Sequence, residues 1–91
     1  DYGGVKMQVD LIQALLEHFE DELHDVQTYG RMAKQAEAAG HERIAWTLEL
    51  IRRDEETHAA ALHDILDSHA PDVLSKTLRD NPQLSELWDR L

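Results

Sequence analysis

The sequence predicts an all-α protein of one domain, with two long antiparallel helices followed by short C-terminal helices. Three observations predict this fold class. The 91 residues, a length typical of one domain, include only four glycines and two prolines. Polar and apolar residues nowhere alternate with the period of two that is typical of a strand. The composition is instead dominated by Ala, Leu, Glu, Gln, Lys and Arg, which favour helices. We therefore expect residues 1–91 to form one helical domain.

The first two predicted elements form a hairpin. We expect one helix over about 8–39, a turn at Gly40-His41, and a second helix over about 42–69. Two helices that are joined by so short a turn must lie antiparallel.

The last quarter of the chain is predicted to be helical as well. Pro71 suits the first turn of a third, shorter helix, and Asn81-Pro82 separates that helix from a final turn or two. This C-terminal segment, residues 71–91, is apolar enough to dock on a helical bundle or on a neighbouring dimer.

We expect each long helix to bury a single inward stripe, whose members are three or four residues apart as in a left-handed helical bundle. The stripe of the first helix consists of Ile12, Leu15, Phe19, Glu22, Val26, Tyr29, Ala33 and Ala36. The stripe of the second helix consists of Ile44, Leu48, Ile51, Glu55, His58, Leu62 and Ile65. Because two helices alone enclose no interior, the hairpin must pack on something. Self-association about a two-fold axis into a four-helix bundle is the simplest solution, so we expect a homodimer or a higher homo-oligomer.

Three ionisable residues, Glu22, Glu55 and His58, interrupt these stripes. They lie 18 residues before Gly40 and 15 and 18 residues after it, which places them about 27, 22 and 27 Å from the turn. The three side chains should therefore meet at one level. A two-fold dimer would gather four carboxylates and two imidazoles there, and two divalent cations would balance the four negative charges. Without such ions, burying this cluster would be costly.

The chemistry of this cluster favours iron. Carboxylates with one imidazole per ion suit iron or manganese, and the chain has no cysteine for the usual zinc set. We expect two iron ions per dimer, with manganese as the alternative ion. The spacing Glu55-x-x-His58 places both side chains on one helical face. An exposed ion pair between these two residues is the alternative interpretation.

The region from Glu22 to Leu62 resembles a known family in the order of its residues. That order is Glu22, Tyr29, Ala33, Ala36, Gly40 and the segment Asp54-Glu55-Glu56-Thr57-His58-Ala59. It is similar to half of a ferritin-like di-iron carboxylate protein, with the closest pattern in the rubrerythrins and the single-hairpin encapsulated ferritins. The resemblance implies a ferritin-like four-helix bundle in which Glu22 is a terminal ligand, Glu55 bridges two irons and His58 binds one of them.

The resemblance also carries expectations about assembly and location. A full ferritin-like chain has a second helix pair, so here another copy must supply it. The cysteine-rich rubredoxin domain of rubrerythrins is missing, and with it their built-in electron donor. We see no targeting peptide like that of encapsulated ferritins, so packaging in a protein compartment is unsupported and we expect a cytoplasmic protein.

The function predicted from these residues is oxidation of Fe(II) by dioxygen or peroxide, a ferroxidase-like activity at a site shared by two subunits. The acidic surface, with a net charge of -10, would concentrate Fe(II) and repel nucleic acids and anionic membranes. No apolar run approaches the roughly 20 residues of a membrane span. Two alternatives remain. One is a peroxide-reducing di-iron protein with an external electron donor. The other is a metal-free interaction module in which the three ionisable residues set the helix register.

Tyr29 lies two turns from Glu22 on the same stripe. It either contacts a ligand and gives up an electron, which would make it a catalytic residue with Glu22, Glu55 and His58, or is the largest residue of the core. Asp21, His24 and Asp25 lie beside Glu22 but off the stripe. We expect them to be a solvated surface, with transient cation binding as the alternative.

Three further residues carry simpler expectations. His63 and His69 have no partner set in the sequence, and we expect both to be exposed. Trp46 flanks the stripe of the second helix and is expected to be a packing residue.

Overall fold

The computed structural model describes the backbone of residues 2–91 and the side chains of residues 8–91. It contains four helices and, within residues 2–91, no strand. The helices are α1 (Tyr2–Ala38), α2 (Glu42–His69), α3 (Pro71–Asp80) and α4 (Pro82–Asp89). The all-α prediction is confirmed, as are the two long helices that pack together. The predicted start of the first helix is wrong, because α1 already begins at Tyr2.

A glycine at the end of α1 produces the turn between the two long helices. Gly40 has a φ of 81°, which a residue with a Cβ rarely adopts. The Gly40 N–H donates to the Glu37 carbonyl at 3.0 Å, and the His41 N–H donates to the Ala36 carbonyl at 2.9 Å. This bonding pattern is a Schellman motif, and it satisfies carbonyls that the helix end would leave free. It reverses the chain within three residues and so places α2 antiparallel to α1.

One side of the hairpin, here called the covered face, is packed against α3 and α4 over the half that lies away from the turn. It comprises two rows of residues at seven-residue spacing. These rows are Leu16, Leu23, Gly30 and Glu37 on α1, and Ala45, Arg52, Ala59 and Leu66 on α2. Leu23 and Leu66 are each 1% exposed, and Ala59 is fully buried. The expectation that each helix buries a single stripe is therefore wrong, because Leu16 and Leu23 form a second buried row.

The core of the molecule lies between the covered face and the C-terminal helices. Phe19 is fully buried between the long helices, and Leu74 from α3 and Leu84 from α4 are 2% and 1% exposed. Leu78, Leu87 and Trp88 pack against the same cluster. The C-terminal segment thus docks on its own hairpin, and the apolar side chains that predicted docking are the ones that pack there.

Local signals set the ends of α3 and α4. Pro71 and Pro82 occupy the first turns, where a missing backbone N–H costs nothing. The Asn81 side chain accepts a hydrogen bond from the Leu84 N–H at 3.2 Å and caps α4. These ends confirm the breaks that were predicted at the two prolines.

The opposite side of the hairpin, here called the open face, is covered by none of the four helices. Its rows are Leu15, Glu22, Tyr29 and Ala36 on α1, and Ile44, Ile51, His58 and Ile65 on α2. Glu55, three residues before His58, borders these rows and is counted with this face. Ile44 is 54% exposed and Ile65 is 42% exposed. The molecule is 58 Å long and only 15 Å across its thinnest dimension, so this face is long and shallow.

The helices of the described residues differ from membrane-spanning helices. None of them, within residues 2–91, combines the length with the apolar character that crossing a membrane requires.

Candidate metal centre

The open face brings Glu22, Glu55 and His58 together. One potential ligand atom from each side chain lies within 4.8 Å of the other two. His58 Nδ1 is 3.7 Å from Glu22 Oε2 and 4.0 Å from Glu55 Oε1. The two helices position this cluster through the turn, because equal counts from Gly40 place Glu22 and His58 at the same height. Within residues 8–91 this is the group of three such side chains that meets the distances of a metal site.

Glu22 carries the clearest sign of a missing partner. Its Oε2 atom is buried and accepts no hydrogen bond from any described residue. A buried carboxylate oxygen in this state costs free energy because it has lost water and gained nothing in exchange. A cation between Glu22 Oε2 and His58 Nδ1 would remove this cost, since both atoms have a free lone pair when His58 is neutral.

The spacing of these atoms suits one ion. Two atoms that bind the same ion at about 2.1 Å lie at most about 4.2 Å apart. The two separations from His58 Nδ1, 3.7 and 4.0 Å, fall below that limit. They are too long for direct hydrogen bonds, which need about 2.7–3.2 Å. An ion bound to His58 Nδ1 is therefore within reach of either carboxylate, and carboxylate and imidazole ligands suit iron or manganese.

Exposure differs among the three residues. The side chains of Glu22 and Glu55 are 19% and 18% exposed, whereas that of His58 is 59% exposed. The sequence predicts that His58 faces the interior of a bundle made by two copies, and in the single chain this side chain is exposed. The reason is that α3 and α4 pack on the other face of the hairpin, so the row of α2 that contains His58 faces outward.

Within residues 8–91, lysine and arginine side chains do not neutralise the carboxylates of this cluster. Within residues 8–91, neither Glu22 nor Glu55 has a Lys or Arg nitrogen within 4.0 Å. The nearby Arg52 lies on the covered face, where it binds Glu49 at 2.6 Å and Glu56 at 2.6 Å. The hydrogen bond from Arg52 lowers the pKa of Glu49, while burial opposes this shift. Arg52 thus neutralises its own neighbours, and the carboxylates of the open face keep their attraction for a cation.

Gly30 leaves room for this arginine. A Cβ atom at Gly30 would lie 3.3 Å from Arg52 Cδ, which is tighter than an ordinary contact. The mid-helix glycine, which costs about 1 kcal/mol relative to alanine, is therefore explained by the close approach of Arg52.

The other residues singled out in the sequence lie outside the cluster. Tyr29 is half-buried in the same row as Glu22, two turns away. Asp21, His24 and Asp25 are exposed, and none of them joins the three ligand candidates. They form a solvated surface, as expected.

Two expectations about aromatic residues are wrong. His63 is half-buried, and its ring stacks on Trp88 with centroids 4.0 Å apart and planes within 4°. Trp46 is 65% exposed and does not pack in the chain. The partner of His63 comes from α4, 25 residues later, so no local pattern around His63 could have revealed it. The exposure of His69 is confirmed.

Comparisons with known proteins identify no family for this chain. Comparisons of the chain with family models, with curated proteins and with solved structures give no significant match.

Proposed function

We propose that the chain binds iron on its open face, pairs there with a second copy, and oxidises Fe(II) with dioxygen or peroxide. The observation that carries this proposal is the buried Glu22 Oε2, which lacks a partner and lies beside Glu55 and His58. An acidic chain with a net charge of -10 provides the electrostatic attraction for Fe(II).

A second copy completes the site. One chain offers two carboxylates and one imidazole, whereas a six-coordinate ion needs more ligands. Two copies related by a two-fold axis offer four carboxylates and two imidazoles, enough to balance two divalent ions. The same pairing covers the exposed Ile44 and Ile65, whose apolar surface favours association.

Each residue then has a distinct task. Glu22 and His58 would hold an ion from the two helices of the hairpin, and Glu55 would be shared between two ions, as the ferritin-like resemblance implies. A bound pair of irons would supply two electrons to one oxidant. Tyr29 lies two turns from Glu22 in the same row, about 10 Å along the axis of α1. A partner copy would bury it there, and its phenol can donate a hydrogen bond or an electron.

Replacement of the bridging carboxylate tests this proposal. Glu55→Ala should lose at least one iron per dimer, measured by metal analysis of the purified protein, and should lose most of its Fe(II) oxidation rate. The variant should still fold, because removal of a partly buried charge also removes its desolvation cost. Circular dichroism checks the helical content.

Asp54→Ala is the matched control, since it removes an exposed carboxylate one position earlier on the same helix. It should retain both ions and the oxidation rate. If Glu55→Ala keeps two irons per dimer and an unchanged rate, Glu55 is not the bridge. If the unaltered protein takes up no iron or manganese, the cluster is a polar network within a metal-free interaction module.

A comparison of rates separates the two redox functions. Fe(II) oxidation should continue with iron as the only reductant. Peroxide consumption that requires an added electron donor, with little net Fe(II) oxidation, would instead assign the protein to peroxide reduction.

A further inference from the structure

The covered face has two halves of different height. In the half away from the turn, α3 and α4 lie on the long helices. In the half next to the turn, the two long helices border an open groove of about 1110 Å³, here called the turn groove. The groove runs from Val26 to Ala38 along α1, which is about 18 Å, and from Glu42 to Arg52 along α2. The face is therefore raised in one half and recessed in the other.

The end of α4 marks the boundary between the two halves. Leu87 of α4 and Leu91 just after it border a small cavity together with Val26 and Arg52, and the last two residues also line the turn groove. The groove thus begins where α4 ends. It continues, on the same pair of helices, the surface on which α3 and α4 pack.

The turn groove has a floor of small residues and an exposed aromatic side chain at its rim. Gly30 and Ala45 belong to the rows of the covered face, and Ala45 is half-buried. Trp46 lines the groove and is 65% exposed. A large aromatic side chain contributes most when it is buried, so this surface favours contact with a partner.

The two halves of the chain carry net charges of opposite sign. Residues 26–53, which form the turn half, contain five Lys or Arg and three Asp or Glu, a net charge of +2. Residues 1–25 and 54–91 contain four Lys or Arg and 16 Asp or Glu, a net charge of -12. Two copies with their turns at opposite ends bring each positive half beside a negative half, whereas turns at the same end bring the two negative halves together. Charge therefore favours the antiparallel arrangement.

We propose that the turn groove is the docking site for α3 and α4 of a second copy, and that the contact is reciprocal. A two-fold axis near the end of α4, at right angles to the long helices, places the raised half of each copy in the recessed half of the other. The 10 residues of α3 and the 8 residues of α4 span about 15 and 12 Å, so both fit the length of the groove. Val73 on α3 is 42% exposed and is available for this contact.

The size of the contact suits a specific dimer. A groove about 18 Å long on a molecule 23 Å wide has a footprint of about 400 Å². Each copy offers one groove and inserts one pair of helices, so it contributes about 800 Å², which is the size of a standard interface per partner. The contact leaves the open face free and needs no metal ion. The inference therefore goes beyond the proposed function and does not depend on it.

Cross-linking of a single introduced cysteine tests the inference, since the chain has no cysteine of its own. Asp89→Cys lies at the end of α4, where the two-fold axis brings the copies closest. Asp72→Cys is the matched control, because Asp72 follows the end of α2, about 25 Å along that helix from Arg52. Both positions are exposed. In metal-free protein at micromolar concentration, a short bis-maleimide should give several-fold more cross-linked dimer through Asp89→Cys than through Asp72→Cys.

Substitutions in the turn groove should remove this cross-link. Ala45→Tyr, added to Asp89→Cys, fills the floor of the groove and should lower the yield of dimer several-fold. Ala61→Tyr is the matched control, an exposed alanine of the same helix outside the groove, and it should leave the yield unchanged. Trp46→Ser removes the exposed ring without touching the core and should also lower the yield. Circular dichroism checks the helical content of each variant.

A pair of lysine substitutions tests the orientation of the two copies. Lys34→Glu, in the turn groove, changes the charge of residues 26–53 from +2 to 0 and should lower the yield of dimer. Lys76→Glu makes the same change on α3, in the negative half, and should leave the yield equal or higher. The reverse order of these two effects would contradict the antiparallel arrangement.

The outcomes separate this inference from the proposed function. A yield through Asp89→Cys that does not exceed the yield through Asp72→Cys would overturn the inference, and so would a yield that Ala45→Tyr leaves unchanged. The protein is metal-free in each of these experiments, so their results do not depend on iron. Failure of the proposed function appears instead in metal analysis of the unaltered protein.

Discussion

The two faces of the hairpin differ sharply although their residues are neighbours in sequence. Each row of the open face lies one residue before a row of the covered face. Ile65 is 42% exposed and Leu66 is 1% exposed, and His58 and Ala59 contrast in the same way. Both faces carry apolar side chains, but among the described residues α3 and α4 cover only the covered face, in its half away from the turn.

This contrast indicates what each face is for. The covered face is an ordinary core in which Phe19, Leu23 and Leu84 exclude water. The open face combines exposed isoleucines with a carboxylate oxygen that has lost its water and has no hydrogen bond. Such a surface is unfavourable for an isolated chain and favourable for one that receives both an apolar partner and a cation.

The largest expected difference between the two faces comes from substitution of the neighbouring residues Leu66 and Ile65. Leu66→Ala should lower the free energy of unfolding by about 2–5 kcal/mol, since it opens a cavity in a closed core. Ile65→Ala should change the stability of the dissociated chain by less than about 1 kcal/mol, and should weaken self-association instead. Urea unfolding at two protein concentrations separates these effects. Equal loss of chain stability in both variants would remove the distinction between the faces.

Metal binding should stabilise the protein through residues of the open face alone. Fe(II) or Mn(II) at a hundredfold excess over its dissociation constant should raise the free energy of unfolding by about 2.7 kcal/mol. The melting temperature should rise accordingly near neutral pH. Glu22→Ala and His58→Ala should blunt this rise, whereas Asp25→Ala, an exposed carboxylate three residues from Glu22, should leave it nearly intact. An equal loss in all three variants would assign metal binding to general surface charge.

Loss of the α4 cap should affect the covered face more modestly. Asn81→Ala removes the hydrogen bond to the Leu84 N–H and should cost about 0.5–2 kcal/mol. Without this cap, the backbone amides of α4 should exchange hydrogen faster, while metal uptake on the open face stays unchanged. A loss of metal uptake of the same size would show that the faces are coupled.

The smallest expected effect comes from the ion pair of Arg52 on the covered face. The hydrogen bond from Arg52 lowers the pKa of Glu49 below its ordinary value of 4.5. Its contribution to stability is therefore present above pH 4.5 and is lost as the pH falls through the lowered pKa. Glu49→Gln should destabilise the protein at pH 7 by less than about 1 kcal/mol, since the pair is partly exposed. The difference from the unaltered protein should vanish at low pH, and a constant difference would assign the effect to packing.

Local signals explain why much of the fold could be predicted. Gly40, Pro71 and Pro82 each constrain their own backbone, so the turn and the helix breaks follow from the sequence alone. Helical periodicity and similar counts from the turn, at 18, 15 and 18 residues, likewise place Glu22, Glu55 and His58 together. A geometric cluster is thus predictable when its members lie on two helices joined by a short turn.

Contacts between distant segments explain what could not be predicted. Leu16 and Leu23, the second buried row, belong to the same core cluster as Leu74 of α3 and Leu84 of α4. The docking of those two helices depends on tertiary packing. His63 is covered by Trp88, which is 25 residues away in sequence. The stripe pattern predicts which residues are available for packing, but it does not distinguish packing within the chain from packing on another copy.

The central claim is that two open faces come together around a pair of metal ions. Sedimentation of the purified protein at micromolar concentration, with iron measured in each sedimenting species, tests it most directly. We predict a dimer, or a multiple of a dimer, that carries two irons per two chains. A folded, helical monomer under these conditions, with iron absent or bound equally to monomer and assembly, would contradict the claim.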